Sequence, residues 1–166
     1  EKKREEELEK KNSERKGERD SEARSRTDNY IDFYINSVNT SETRVLDYWF
    51  TVSNGANIAN KSRIDNDYLR FDLASLDGSN NETLILSGVD YDTFNSSTNI
   101  GLYIPVNTTT ELSRKYRLRM WVSEDVLISD TETGATYTQS EYNNLYASVK
   151  LIVNSTDRIN VVNNPS

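Results

Sequence analysis

The sequence predicts an all-β fold: an Ig-like or jelly-roll antiparallel β-sandwich of about seven strands, behind a charged helical or disordered N-terminal arm. Three observations predict it. Beyond Asn29, apolar residues recur at every second position through most of the chain, which is the period of a half-buried strand. Turn dipeptides and loops rich in Asn, Ser and Thr separate these runs. Between Glu1 and Thr27 the only apolar residues are Leu8 and Ala23, so that stretch has no stripe to bury.

The arm, residues 1–27, alternates blocks of opposite charge. Glu6–Lys10, Glu7–Lys11, Asp20–Arg24 and Glu22–Arg26 stand at the i,i+4 spacing that favours helix, while Ser13, Gly17 and Ser21 weaken its continuity. It reads as a spacer or stalk of up to about 40 Å if wholly helical. Deleting residues 1–27 is expected to leave the rest folded.

The sandwich domain is placed at residues 28–156 and a polar tail at 157–166. Its first strand alternates Ile31, Phe33 and Ile35 with Asp32, Tyr34 and Asn36. In the second, Leu46, Tyr48, Phe50 and Val52 share a face, and Asn54-Gly55 follows as a turn signal. Leu69, Phe71 and Leu73 form the third run, closed by Asp77-Gly78; Leu84 and Leu86 precede Ser87-Gly88 and could form an exposed edge. Ile100, Leu102 and Ile104 stop at Pro105. Tyr116, Leu118, Met120 and Val122 oppose Arg117, Arg119 and Trp121, and a long last strand runs from Leu145 to Val153. Thr138–Tyr146 has room for one short helical turn before it.

Charge divides unevenly. The whole chain holds 20 basic and 27 acidic residues; ten and nine of them lie in 1–27, which leaves the domain ten and eighteen, a net of −8. That sign argues against nucleic-acid binding and against anionic membranes. No apolar run reaches the roughly 20 residues that span a bilayer, so membrane attachment would come only through an upstream anchor.

The chain has neither Cys nor His, which excludes Ser-His-Asp and Cys-His catalysis and thiolate or imidazole metal sites. Lys61, Lys115 and Lys150 form no Ser-x-x-Lys motif, and the acids Glu124, Asp125, Glu132 and Glu141 are not placed by sequence as a facing pair. The expectation is no enzyme and no cofactor. Calcium is the metal the residues admit, with Asp65 and Asp67, or Asp90 and Asp92, as paired hard-oxygen ligands; turn capping explains the same residues. An Arg114–Lys115–Arg117–Arg119 cluster, continued by Trp121, could meet an acidic glycan or another subunit's acidic face, or else be a strand face paired to carboxylates. Arg119 could stack on Trp121 or Tyr103. Trp49, Trp121 and Tyr34 lie opposite the aliphatics of their strands, as an exposed aromatic patch or beneath a cover. The interaction candidates are therefore Arg117, Arg119, Trp121, Trp49 and Tyr34. Sequons at Asn39, Asn60, Asn81, Asn95, Asn107 and Asn154 follow from composition, and a Lys–Asn isopeptide crosslink is conceivable at Lys115 or Lys150.

The segments KYRLRMWVSE (115–124), YASVKLIV (146–153) and RVLDYWFTVSNGAN (44–57) resemble the strands of the TasA/camelysin-like extracytoplasmic β-sandwich surface proteins of Bacillota. The resemblance spans Tyr30 to Val153; the arm and the tail lie outside it. It implies an exported sandwich with a structural or adhesive role. The expected function is a non-catalytic cell-surface structural or adhesive module, tethered through its arm and placed at the cell surface or secreted. The alternatives are a filament or biofilm-matrix subunit and a phage virion structural protein. The expected partner is a protein, or a second copy.

Overall fold

The computed structural model describes residues 17–37, 45–96, 102–105 and 112–157. Among these residues, seven strands of four residues or more build two antiparallel sheets: β1 (Tyr30–Ser37), β2 (Val45–Asn54), β4 (Leu69–Leu76), β5 (Glu82–Asp90), β6 (Leu102–Pro105), β7 (Leu112–Val122) and β9 (Val149–Asp157). One sheet has the order β1-β7-β4-β5 and the other β6-β2-β9, while two-residue strands β3 (Ser62–Arg63) and β8 (Leu145–Tyr146) pair in parallel. The fold is the all-β sandwich that the period-two patterning predicts.

The core lies between the sheets, where each strand sends its alternate side chains. Phe33, Phe50 and Tyr116 meet at ring-centre distances of 5.2 to 5.6 Å. Val52, Leu69, Leu73 and Leu118 are buried around them. Phe71 packs 5.4 Å from Phe94 of α2 (Tyr91–Ser96), the helix that follows β5. Burying each such side chain contributes about 1.5–3 kcal/mol. Helix α2 also supports β2 where β6 no longer does: the Asn95 side-chain amide accepts from Val52 N at 2.7 Å and donates to Val52 O at 2.9 Å. One side chain thus replaces a strand partner for both backbone groups of Val52.

Local turn chemistry follows sequence. Asp77 closes the β4–β5 hairpin by accepting from Ser79 N and Asn81 N, both at 2.9 Å, and Asn80 adopts φ 64°. A capping box between Thr138 and Glu141 starts α3 (Gln139–Asn143), in the stretch expected to hold a helical turn.

Two expectations need correction. The last long strand is broken: Leu145–Tyr146 pairs with Ser62–Arg63, and Ser148 O then accepts from Gly55 N and from Arg63 Nη1 before β9 begins. These side attachments cannot be inferred from a period of two. β5 runs through Gly88 to Asp90, because glycine accommodates φ 58° within the strand. The second correction is the domain boundary at residue 27.

Residues 17–27 form a strap on the outer face of the four-stranded sheet. Glu18 N donates to Val122 O at 2.7 Å and Glu124 N donates to Glu18 O at 3.1 Å, a short parallel bridge beyond the end of β7. Helix α1 (Asp20–Arg24) follows, and its Ala23 is completely buried. Asn29 Nδ2 holds Ala23 O at 2.9 Å. At Gly17 a Cβ would lie 1.7 Å from Ser123 O, so only glycine fits that approach. Polar composition hid this attachment, because it is made through backbone bonds, one alanine and ion pairs. Residues 1–16 and 158–166, and with them most of the expected arm and tail, lie outside the described residues, as do Asn39, Ile100 and Asn107.

Candidate interaction surfaces

The row of cations on β7 is placed by its strand. Lys115, Arg117 and Arg119 point to the outer face of the sheet, between β1 and β4, because Tyr116 and Leu118 point inward. Their fates differ. Arg117 forms a two-pronged pair with Asp32 on β1, at 2.7 and 3.0 Å. That pairing raises the Arg117 pKa and holds the Asp32 carboxyl below its ordinary value. Arg119 is 2% exposed; its Nη1 donates to Glu82 at 3.1 Å and its Nε to Asn29 Oδ1 at 3.2 Å. The Tyr30 ring lies 3.9 Å from the Arg117 guanidinium and 5.0 Å from that of Arg119. Arg119 therefore stacks on Tyr30, not on Trp121.

Asp72 of β4 faces the same side and is 1% exposed. Arg24 of the strap reaches it with Nε at 2.7 Å and Nη2 at 2.9 Å, and Gly88 N donates to it at 2.7 Å. Arg119 Nη1 stands 4.0 Å away. Arg24 also donates to Ser87 Oγ at 2.8 Å and lies 6.0 Å from the Trp121 ring centre. The strap thus covers this end of the face, and Trp121 is 3% exposed. Of the five expected interaction residues, Arg117, Arg119 and Trp121 belong to an internal ion network and its cover. Trp49 of β2 is half-buried and lies on the other sheet; Tyr34 stands open at 59% exposure.

Sequence reasoning missed Arg24, Asp72, Asn29 and Glu82. An acid in the middle of an apolar strand was the available signal for Asp72. Arg24 carried none, since 48 residues separate it from its partner.

Of the four carboxylates considered for calcium, Asp65 and Asp90 serve as caps. Asp65 accepts from Asp67 N at 2.9 Å and begins a single 3₁₀ turn at Asn66–Tyr68. Asp90 accepts from Thr93 N at 2.7 Å at the start of α2, and this bonding lowers its pKa. Arg70, opposite Asp90 in the sheet, binds Asp67 O at 2.7 Å and so places a cation between the two pairs. Among the described residues no three Asp, Glu, His or Cys side chains form a group suited to a metal ion. Glu141 is occupied by its capping box, and Asp125 stands 3.5 Å from Arg70. Lys115 Nζ does touch Asn80 Oδ1 at 2.7 Å, but at the exposed end of the sheet, not in the dry core that favours an isopeptide crosslink.

Two of the concave surfaces among the described residues lie against the four-stranded sheet. One is the open side of the sandwich between the terminal strands β1 and β9. It is a groove of about 430 Å³ lined by Ile31, Leu118, Met120, Val149 and Leu151. Neither β1 nor β9 has a second strand partner among the described residues. Ile31 is 54% exposed there, a position the sequence assigned to the core face. The other is a basic, tyrosine-bearing cleft at the tip of the β4–β5 hairpin.

No family model, curated protein or solved structure matches the chain.

Proposed function

We propose that the chain is a non-catalytic structural or adhesive module that acts outside the cytoplasm. It is tethered through its N-terminal segment and engages protein at the open side between β1 and β9. The groove carries this reading. Two terminal strands, with no second strand partner among the described residues, flank an apolar floor, and extended chains add to such edges. The strap supports the tether: it enters at Gly17, bonded beside Ser123, so pull on the N-terminus is met by sheet bonds.

A filament or matrix subunit is the second reading, and the shape of the groove favours it. A groove filled by a different surface of the next copy makes a heterologous contact, which continues into open assemblies unless rotation closes a ring.

Light scattering after size exclusion tests both on the full chain and on Ile31→Asp. The side chain of Ile31 is mostly exposed, so folding does not require it. Reversible association that grows with concentration and is lost in Ile31→Asp is the expected result, and elongated particles by negative stain select the filament. A chain that stays monomeric to millimolar concentration, or association that Ile31→Asp leaves intact, overturns the proposal.

A further inference from the structure

We propose that the strap, residues 17–27, is a force-releasable latch: a pull on the N-terminus lifts it from the outer face of the four-stranded sheet before the sandwich yields. The release lengthens the chain and leaves the core closed. That such a pull acts on the protein rests on the tether reading above; the release itself rests on the contacts between strap and sheet. Those contacts lie in series along the chain. Counted from Gly17, they are the two backbone bonds of Glu18 to Val122 and Glu124, the buried Ala23 with its carbonyl on Asn29 Nδ2, and the fork of Arg24 on Asp72. A pull at the first residue loads them one after another. The stretch that follows is held differently. Met120 N donates to Asn29 O at 2.9 Å, and every residue of β1, Tyr30–Ser37, stands in register with β7. The peel therefore stops at β1.

What lies beneath the strap lets it open without opening the core. Neither Ala23 nor Trp121 belongs to the buried cluster between the sheets. The other buried groups on this face are polar: Asp72, Arg119 and Ser123. Trp121 Nε1 is buried and has no hydrogen-bond partner among the described residues. A buried donor left unpaired destabilises the closed state, and water satisfies it once the strap lifts. Each half of the Arg24–Asp72 pair also has a second partner on its own side. Within the strap, Asp20 stands 4.0 Å from Arg24. On the sheet, Asp72 keeps the Gly88 N bond at 2.7 Å and has Arg119 at 4.0 Å. Breaking a buried pair is most costly when one charge is stranded, and here neither is left without an opposite charge. The remaining described cations of the strap pair locally, Arg19 with Glu22 and Arg26 with Glu18 and Asp28. The strap lifts as a charge-paired unit, and the Arg24 fork re-forms when the load is removed.

The release has a definite length. Residues 17–29, thirteen in all, reach about 45 Å when extended. In the closed state the two ends of this segment stand about 14 Å apart, since Glu18 bridges to Ser123 and Tyr30 faces Arg119, four residues back along β7 at about 3.3 Å each. Opening therefore adds about 30 Å of chain. The 128 residues from Tyr30 to Asp157 release about 400 Å when the sandwich unfolds, so the two events are told apart by length alone.

The test is optical tweezers on the full chain, held by peptide tags at its two ends. The expected record is a reversible step of about 30 Å at low force, followed by one of about 400 Å. Arg24→Ala and Gly17→Ala should each lower the force of the first step or abolish it. Both should leave the force of the second step unchanged, because the strap is already off when the sandwich yields. A single step, or an early step of clearly different length, overturns the proposal. So does an early step that both substitutions leave untouched, or an effect of Arg24→Ala on the second step alone. A single step leaves the tether reading standing, since a tether can load the sheet directly.

Discussion

Removing the strap should unfold the domain at lower temperature, and removing the residues before it should not. The perturbation with the cleanest arithmetic is Arg24→Ala. Asp72 is almost fully buried and takes three short bonds, two from Arg24 and one from Gly88 N. Without Arg24 its nearest described cation is Arg119 at 4.0 Å, itself shared with Glu82. Breaking a buried pair by removing one partner costs about 3–5 kcal/mol. Here the Arg24 side chain is 30% exposed, so water can enter when it is cut back, and a loss of about 2–3 kcal/mol is the better expectation. For a domain of this size that lowers the thermal midpoint by about 5–10 °C. Deleting residues 1–27 should cost at least as much, because it also uncovers Trp121 and removes the Glu18 bridge. Deleting residues 1–16 should leave the midpoint unchanged. Gly17→Ala should resemble Arg24→Ala, since its Cβ meets backbone that cannot yield. Calorimetry of the five chains decides. If residues 28–166 melt within about 2 °C of residues 17–166, the strap is an appendage and the reasoning fails.

Two further outcomes follow from single contacts. Stability should fall as pH drops below about 4: Asp32, Asp77, Asp90 and Glu141 all have carboxyl pKa values lowered by native hydrogen bonds, so their contribution is present above the unfolded-state values and lost as pH falls through the folded ones. Urea midpoints that stay flat from pH 5 to pH 3 would contradict this. Asn95→Ala should cost about 1–3 kcal/mol, because Val52 loses partners for both its N–H and its C=O, and a denaturant midpoint unchanged within error would show that the amide is dispensable.

Much of the sandwich could be read from the sequence because alternation is a local signal. Phe33, Phe50, Leu73, Tyr116 and Leu118 all reach the core as their strand positions require. Asp77-Gly78 and the Thr138 capping box were also readable, since turn and cap chemistry is settled within a few residues. What stayed hidden depends on long-range pairing. Arg119 and Trp121 looked like a surface row because nothing local reveals that Arg24 and Ala23 lie over that end of the sheet. Ile31 fits the core pattern of its strand, yet it sits where the sandwich is open. Patterning shows which face a residue occupies, and only the strand order shows whether that face is covered.

The most direct test of the central claim, that the β1–β9 side is the docking surface, is amide hydrogen exchange of the full chain at low and high concentration. Slower exchange at high concentration in peptides covering Tyr30–Ser37 and Val149–Asp157, with the β5 edge unchanged, is the result this account predicts. Exchange that is independent of concentration, or protection confined to β5 or β6, would contradict it.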